Sequence, residues 1–244
     1  NMKKILIFGG LGVLGIEIVN HLKNKYSIII IDAKPNSYFK KLKLNKNILY
    51  LKYSNYSQIK KIYQKNIFYA VVHCQQYKNK NFTNSDIRNL DLDLYKKINN
   101  VNLVVPLISS QNYINQIKNN KKYIGRIINI ASTYGIISSS PELYVNTNMG
   151  NPVYYTLSKF GLVGLTKYIA SYYKELKVLC NCISPHGIEN NHKKKFIINF
   201  SKRSPIGRLS KAKEVLPAID FLLDEKNTYT NGANLSIDGG WTAC

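Results

Sequence analysis

Tyr155 and Lys159 stand four residues apart in "PVYYTLSKFG" (152–161). On a helix that spacing puts a phenol and an ammonium on one face. Such a pair can move a proton: a phenol has a pKa of ~10, and a nearby cation favours the phenolate. The spacing alone decides nothing, because the chain holds 19 Tyr and 35 Lys+Arg, and Tyr56/Lys60 and Tyr173/Lys177 share it. Context separates the three pairs. "GRIINIAS" (125–132) reads as a strand, so Ser132 falls at the carboxyl edge of a sheet, shortly before the helix of Tyr155 and Lys159. Ser158, Gly161 and Gly164 are small and permit close packing around that helix. Neither competing pair has a strand-end Ser before it in this way.

A second constellation lies near the start of the chain. "FGGLGVLG" places Gly9, Gly12 and Gly15 between the apolar run "KKILIF" (3–8) and a helical pattern over 13–24. Glycines there permit a tight turn and let backbone N–H groups approach a pyrophosphate at a helix N-terminus. Asp32 ends the next apolar run, 23 residues past Gly9 (32 − 9). A carboxylate at that position accepts hydrogen bonds from a ribose 2′-OH and repels a 2′-phosphate, which predicts NAD over NADP. Lys34 is the nearby residue able to tolerate a phosphate.

These residues need a frame. Apolar runs at 3–8, 27–32, 47–52, 67–73, 125–132, 177–184 and 233–238 read as strands, and 13–24, 88–118, 153–175 and 211–223 as helical. Fully apolar strands alternating with helices imply a parallel sheet covered on both faces. The expected fold class is therefore α/β, a doubly wound (Rossmann) sheet of about seven strands that binds ligands at the strands' carboxyl ends. No repeat, linker or low-complexity tract divides the chain, so residues 1–244 read as one domain, with Asn1 ahead of Met2 an expression remnant.

The formal charge is +22. A basic excess can signal nucleic acid or an anionic membrane. Here the lysines are dispersed, in pairs at 3, 40, 60, 96 and 121, and accompany many Asn, Ile and Tyr, all with A/T-rich codons. Genome composition accounts for the set, and neither nucleic acid nor membrane is expected as a partner. Lys193 to Lys195 read as a solvated loop or helix face. Cys74, Cys180, Cys182 and Cys244 form no CxxC pair and no zinc pattern, which fits reduced thiols in the cytoplasm. The lysines and apolar run at the start lack an A-x-A-like cleavage site, and Glu17 follows closely.

Together these segments resemble the short-chain dehydrogenase/reductase family. The resemblance runs from Met2 to about Thr242 and rests on "GGLGVLG", Asp32, "VNL" (101–103), "NIAS", "YTLSK", "ISPHG" (183–187), "PIGRL" (205–209) and "NGANLSIDGGW" (231–241). It implies Tyr155 as the catalytic acid/base and Lys159 as its partner, which would also bind the nicotinamide ribose. It implies that Ser132 hydrogen-bonds the substrate oxygen and that Asn102 holds a proton-relay water. Gly9, Gly12, Leu14, Gly15, Asp32, Lys159, Pro185 and Ile188 would bind the cofactor, Ile188 through its backbone to the nicotinamide carboxamide. The implied activity is NAD-dependent interconversion of a hydroxyl and a carbonyl on a small-molecule substrate, in a homotetramer or homodimer. A chain that kept the fold and lost turnover is the rival reading.

That rival is raised by departures from the family pattern. "HCQQ" (73–76) replaces Asn-Asn-Ala-Gly, Lys52 and Tyr53 stand where an Asp-hydrophobic pair holds adenine, and His186 replaces the Gly after Pro185. Glycine spacing follows the extended branch, while the length and C-terminus follow the shorter one. Ser132 and Tyr155 are 23 residues apart (155 − 132), because of an insert around "SSSPELYVNTNMGNP". The insert and the "GGW" ending are most similar to oxidoreductases of bacterial surface-sugar and flagellin-modification (nonulosonate) pathways. Glu142, Asn146, Thr147 and Asn148 are expected to read hydroxyls of a polar, sugar-derived substrate, with Tyr144 stacking on a ring and His186 as a possible helper.

Overall fold

The computed structural model describes residues 2–41, 45–78, 87–120, 122–147 and 149–243. Asn1, Lys121, Asn148 and Cys244, which figure in the expectations above, lie outside them. Seven strands form one wholly parallel sheet: β1 (Lys4–Phe8), β2 (Ser27–Asp32), β3 (Ile48–Lys52), β4 (Ala70–His73), β5 (Gly125–Ile130), β6 (Val178–Pro185) and β7 (Asn234–Ile237). Their order is β3-β2-β1-β4-β5-β6-β7. The chain moves outward from β1 to β3, then returns to place β4 on the other side of β1. That reversal opens a crevice at the carboxyl ends of β1 and β4.

The apolar strands are buried on both faces because helices cover both. Side chains alternate along a strand, so Ile5, Ile7, Ile28 and Ile30 point to one face and Leu6, Phe8, Ile29 and Ile31 to the other. The first set packs under α1 (Val13–Leu22) and α8 (Leu216–Leu223), through Ile18, Val19, Ile219 and Leu222. The second packs under α3 (Tyr56–Lys65), α5 (Val105–Asn119) and α6 (Val153–Tyr172), through Ile59, Tyr113, Ile114 and Ile169. Each fully buried Ile or Leu removes enough apolar surface from water to contribute ~1.5–3 kcal/mol.

Three helices escape the apolar-periodicity reading: α2 (Asn36–Lys41), α3 and α7 (Lys194–Arg203). The expected helix over 88–118 is broken into α4 (Leu92–Asn99), a π-helical segment (Asn100–Val104) and α5. Pro106 explains part of that boundary, since it sits in the first turn of α5, where a missing N–H costs nothing. Lys193 to Lys195 do lead into a helix, but Phe196 and Phe200 on it are buried, so only one face of α7 is solvated.

Candidate active site

The crevice is a cleft of about 660 Å³ running from β2 to α7. Gly9, Gly12, Leu14, Gly15, Asp32, Ser132, Tyr155, Lys159, Pro185 and Ile188 all line it. Asn102 does not, although its neighbours Val101 and Val105 do.

At one end the chain turns sharply out of β1. Gly9 adopts a φ of +72°, and a Cβ there would lie 2.5 Å from the Gln75 backbone. A Cβ on Gly15 would lie 2.1 Å from the Gly9 carbonyl oxygen. Any side chain at either place would force the turn, α1 and the end of β4 apart. The Asp32 carboxylate is held in place as the turn closes: it accepts from the Leu11 amide at 2.9 Å and the Lys34 amide at 3.0 Å. The Lys34 ammonium does not hang free. It donates to the Leu11 carbonyl and sits 4.1 Å from the Tyr38 ring centroid. Tyr53 lines this end of the cleft, and its amide donates to the Asp32 carbonyl at 2.8 Å.

At the other end, Ser132 leaves β5 and Tyr155 rises from the first turn of α6. Their side chains are hydrogen-bonded to each other. Burial pushes the Tyr155 pKa up to about 12; the Ser132 hydrogen bond offsets this in part, and Tyr134 adds to it. Lys159 is 3% exposed, donates to the Ile130 carbonyl at 2.8 Å, and has its Nζ 5.6 Å from the Tyr155 ring centroid. Burial lowers its pKa to about 8. The sequence-based expectation that Lys159 draws Tyr155 toward phenolate is therefore not what the chain's own groups do. Desolvation outweighs it, because Lys159 spends a hydrogen bond on β5 and both groups are out of water.

Asn102 is buried within the π-helical segment, a geometry often found at functional sites. Its Oδ1 accepts from the Tyr77 amide at 3.0 Å and its Nδ2 donates to Ser158 Oγ at 3.1 Å. Ser158 Oγ in turn donates to the Tyr155 carbonyl at 2.8 Å. The Asn102 side chain thus fastens the turn that carries Tyr155 and does not face the cleft.

His73, the first residue of the departing "HCQQ" segment, organises a buried polar chain beneath the site. Its Nδ1 lies 2.7 Å from Asn129 Oδ1 and its Nε2 lies 2.8 Å from Ser109 Oγ. Asn129 Nδ2 donates to Thr166 Oγ1 at 2.9 Å, and Ser109 Oγ lies 2.8 Å from the Tyr63 hydroxyl. Since Asn129 Oδ1 can only accept, Nδ1 must carry the proton and Nε2 must accept from Ser109. One tautomer therefore links α3, α5, β4, β5 and α6. Burial lowers the His73 pKa to about 4.

His186, the other histidine departure, is 7% exposed and lines the cleft wall. Its Nδ1 meets Thr133 Oγ1 at 2.5 Å, and its ring lies 4.3 Å from that of Trp241 and 5.1 Å from that of Phe200. The insert departs from expectation more fully. Glu142 pairs with Arg203 at 3.3 Å, and Thr147 donates to the Tyr144 carbonyl at 2.6 Å. Leu143 is buried with Phe196, Phe200, Leu209 and Trp241. What the insert presents to the cleft is Tyr144, Met149, Gly150 and Asn151. Sequence reasoning missed Tyr134, Lys78, His192 and the Phe196/Phe200 face. Only the last carried a signal, two phenylalanines at helical spacing.

Among the described residues, no group of three or more His, Cys, Asp or Glu could hold a metal ion, and no helix is long and apolar enough to cross a membrane. A family model described as enoyl-(acyl carrier protein) reductase matches residues 56–242. The chain belongs to the short-chain dehydrogenase/reductase family. Among family members, the post-translational flagellin modification protein A of Campylobacter coli is 26% identical over 135 residues, 55% of this chain and 52% of that protein. The 2-keto-3-deoxy-L-fuconate dehydrogenase of Xanthomonas campestris pv. campestris is 29% identical over 129 residues, 48% of this chain and 40% of that protein. The matched part thus spans about half the length of these curated relatives. A short chain dehydrogenase from Leptospira borgpetersenii serovar Hardjo-bovis, solved with bound NAD+, superposes with a TM-score of 0.88 at 28% identity, covering 99% of this chain and 93% of that one.

Proposed function

We propose that this member of the family is an NAD-dependent oxidoreductase that interconverts a hydroxyl and a carbonyl on a polar, sugar-derived substrate. The observation that carries the reading is the hydrogen-bonded Tyr155–Ser132 pair at one end of a cleft whose other end holds Asp32 and the glycine turn. Those residues fit a dinucleotide: the turn admits no side chain, and the Asp32 carboxylate is already oriented by two amides. When bound, NAD supplies the hydride acceptor or donor. Lys159 has donors beyond the one given to Ile130 and is placed to hold ribose hydroxyls.

Ser132 positions the substrate oxygen by hydrogen bonding. Tyr155, protonated at neutral pH with a pKa near 12, gives its proton to a carbonyl oxygen on reduction. On oxidation the same atom must first lose its own proton before it can accept one from the substrate hydroxyl, and that loss costs more the higher its pKa, so the positive ring of oxidised cofactor would help on that side by favouring phenolate. Asn102 supports the step by fixing the turn of Tyr155, and a relay water near the π-helical segment is part of the same proposal. Asp32 favours NAD, since a 2′-phosphate would meet a carboxylate. The likeness to the flagellin-modification and keto-deoxy-sugar proteins supports a sugar-derived substrate.

Leu107, Leu157, Phe160, Tyr168 and Tyr172 are exposed on α5 and α6, which supports self-association into a dimer or tetramer through those helices. Cys74, Cys180 and Cys182 are free thiols, which fits the cytoplasm as the proposed location. The test is a cofactor-absorbance screen against nucleotide sugars and free nonulosonate precursors, followed by Tyr155→Phe. The variant should bind NAD as the wild type does and lose ~10²–10⁴ of kcat, the usual worth of a general acid. Near-normal turnover by Tyr155→Phe on the true substrate refutes the assignment.

A further inference from the structure

The charge on the cleft wall is lopsided. Asp32 is the one acid among the described lining residues, and it lies at the β2 end, held by the Leu11 and Lys34 amides. The Tyr155 end carries Lys159 and Lys78 and no carboxylate. Lys78 follows β4 and lines the cleft together with Lys159 and His192, and its charge lowers the pKa of both. Desolvation depresses its pKa, with no described acid to offset the cost. Lys78 is exposed at the rim of the cleft, and no acid among the described lining residues stands at that end to hold it, so it is available to an anion entering there.

His192 completes the arrangement. Its Nδ1 accepts from the Asn190 amide at 3.2 Å, so in the neutral ring the proton sits on Nε2. Burial, and then the Lys78 charge, lower its pKa against the opposing pull of Glu189, so it acts as a neutral N–H donor. Its ring stacks on Phe196 at 4.9 Å, and Phe196 lies 5.9 Å from Tyr144. Tyr134 lies 5.4 Å from His186 and 6.4 Å from Tyr155. The walls beside the reacting hydroxyls are thus aromatic plates, with a cation and one N–H donor at their rim.

Resting on the oxidoreductase reading above, we propose that the substrate is an anionic ring: its face lies against the Tyr134/Tyr144/Phe196 wall, and Lys78 and His192 receive its carboxylate or phosphate. The anion-binding donors are separate from the glycine turn that fits the cofactor's pyrophosphate, so cofactor and substrate each have their own anion seat. The net charge of the chain is not the argument; Lys78, which no acid among the described lining residues neutralises at this end of the cleft, is.

The experiment uses full-length protein saturated with NAD+ at low salt. Emission of the single tryptophan, Trp241, is followed, because that residue packs on His186 in the cleft wall. D-galacturonate, D-galactose 6-phosphate and neutral D-galactose share a ring and differ in charge at one carbon. At least one charged ring should bind about tenfold or more tightly than galactose, the scale of one charge-assisted contact. Which of the two is preferred tells carboxylate from phosphate. Lys78→Gln should erase the preference and Lys78→Arg keep it, with the Kd for NAD+ unchanged in both. Galactose binding as well as the charged rings, or a preference that survives Lys78→Gln, overturns the inference. So does a Lys78→Gln variant whose loss falls on NAD+, which would assign the lysine to the cofactor. If NAD+ itself fails to bind the wild type, the oxidoreductase reading falls; if it binds and charge brings no gain, only this inference falls.

Discussion

His73 should make the fold acid-sensitive in a defined window. Its ring is buried, neutral and committed at both nitrogens, to Asn129 and Ser109. Burial lowers its pKa from 6.5 to about 4. A proton on Nε2 would face Ser109 Oγ, which already receives the Tyr63 hydroxyl in the one consistent pattern, and the charge would have no counter-ion in the network. The folded-state pKa thus lies below the unfolded one. Between pH 6.5 and 4 the unfolded chain takes up a proton that the folded chain refuses. The stabilisation is fully present above pH 6.5, falls as pH drops toward 4, and changes no further below that. At about 1.36 kcal/mol per pH unit the gap amounts to ~3 kcal/mol. The assay is urea unfolding at several pH values for wild type and His73→Gln. Carboxylates titrate alike in both, so the difference between the two profiles isolates the imidazole. The wild-type curve should fall more steeply by ~3 kcal/mol across the window. Parallel curves would refute the reasoning, because they would mean that His73 takes up its proton equally in both states.

Calorimetric titration should show NAD bound tighter than NADP, and Asp32→Asn should narrow the gap; equal affinities in the wild type would remove Asp32 from that role. Leu143→Ala should cost ~3 kcal/mol by urea unfolding, because the side chain is buried against Phe196, Phe200 and Trp241. A loss under ~1 kcal/mol would mean that the site collapses around the cavity.

Strand positions were legible because a doubly covered parallel sheet demands long apolar, β-branched runs, and a stretch such as "SIIIID" fits little else. The glycine turn, Asp32, Ser132 and the Tyr155/Lys159 pair were legible for a related reason. Each sits at a strand end or on the following helix, so chain order alone brings them to one edge. The Lys-rich helices were not. In α3 the core contacts are Ile59, Ile62 and Tyr63, and in α7 Phe196 and Phe200, a thin apolar stripe amid lysines. Lys78 and His192 lie outside regular elements, and their shared place on the cleft wall depends on how two separate segments fold. No local pattern encodes that.

The insert shows how composition misleads where backbone demand is high. Its polar residues suggested a surface that reads hydroxyls. A short 3₁₀ turn (Pro141–Tyr144) exposes carbonyls and amides that need partners, and nearby polar side chains supply them. Thr147 serves the Tyr144 carbonyl and the Met149 amide, and Asn199 on α7 donates to the carbonyls of Leu143 and Val145. Glu142 is drawn off to Arg203 at the surface. With Glu142 and Thr147 so committed, Leu143 anchors the segment to α7, and Tyr144, Met149, Gly150 and Asn151 are left to face the cleft. This wall therefore offers ring faces and one uncharged amide, Asn151, so the charge proposed to select a substrate comes from elsewhere in the cleft, from the segment after β4.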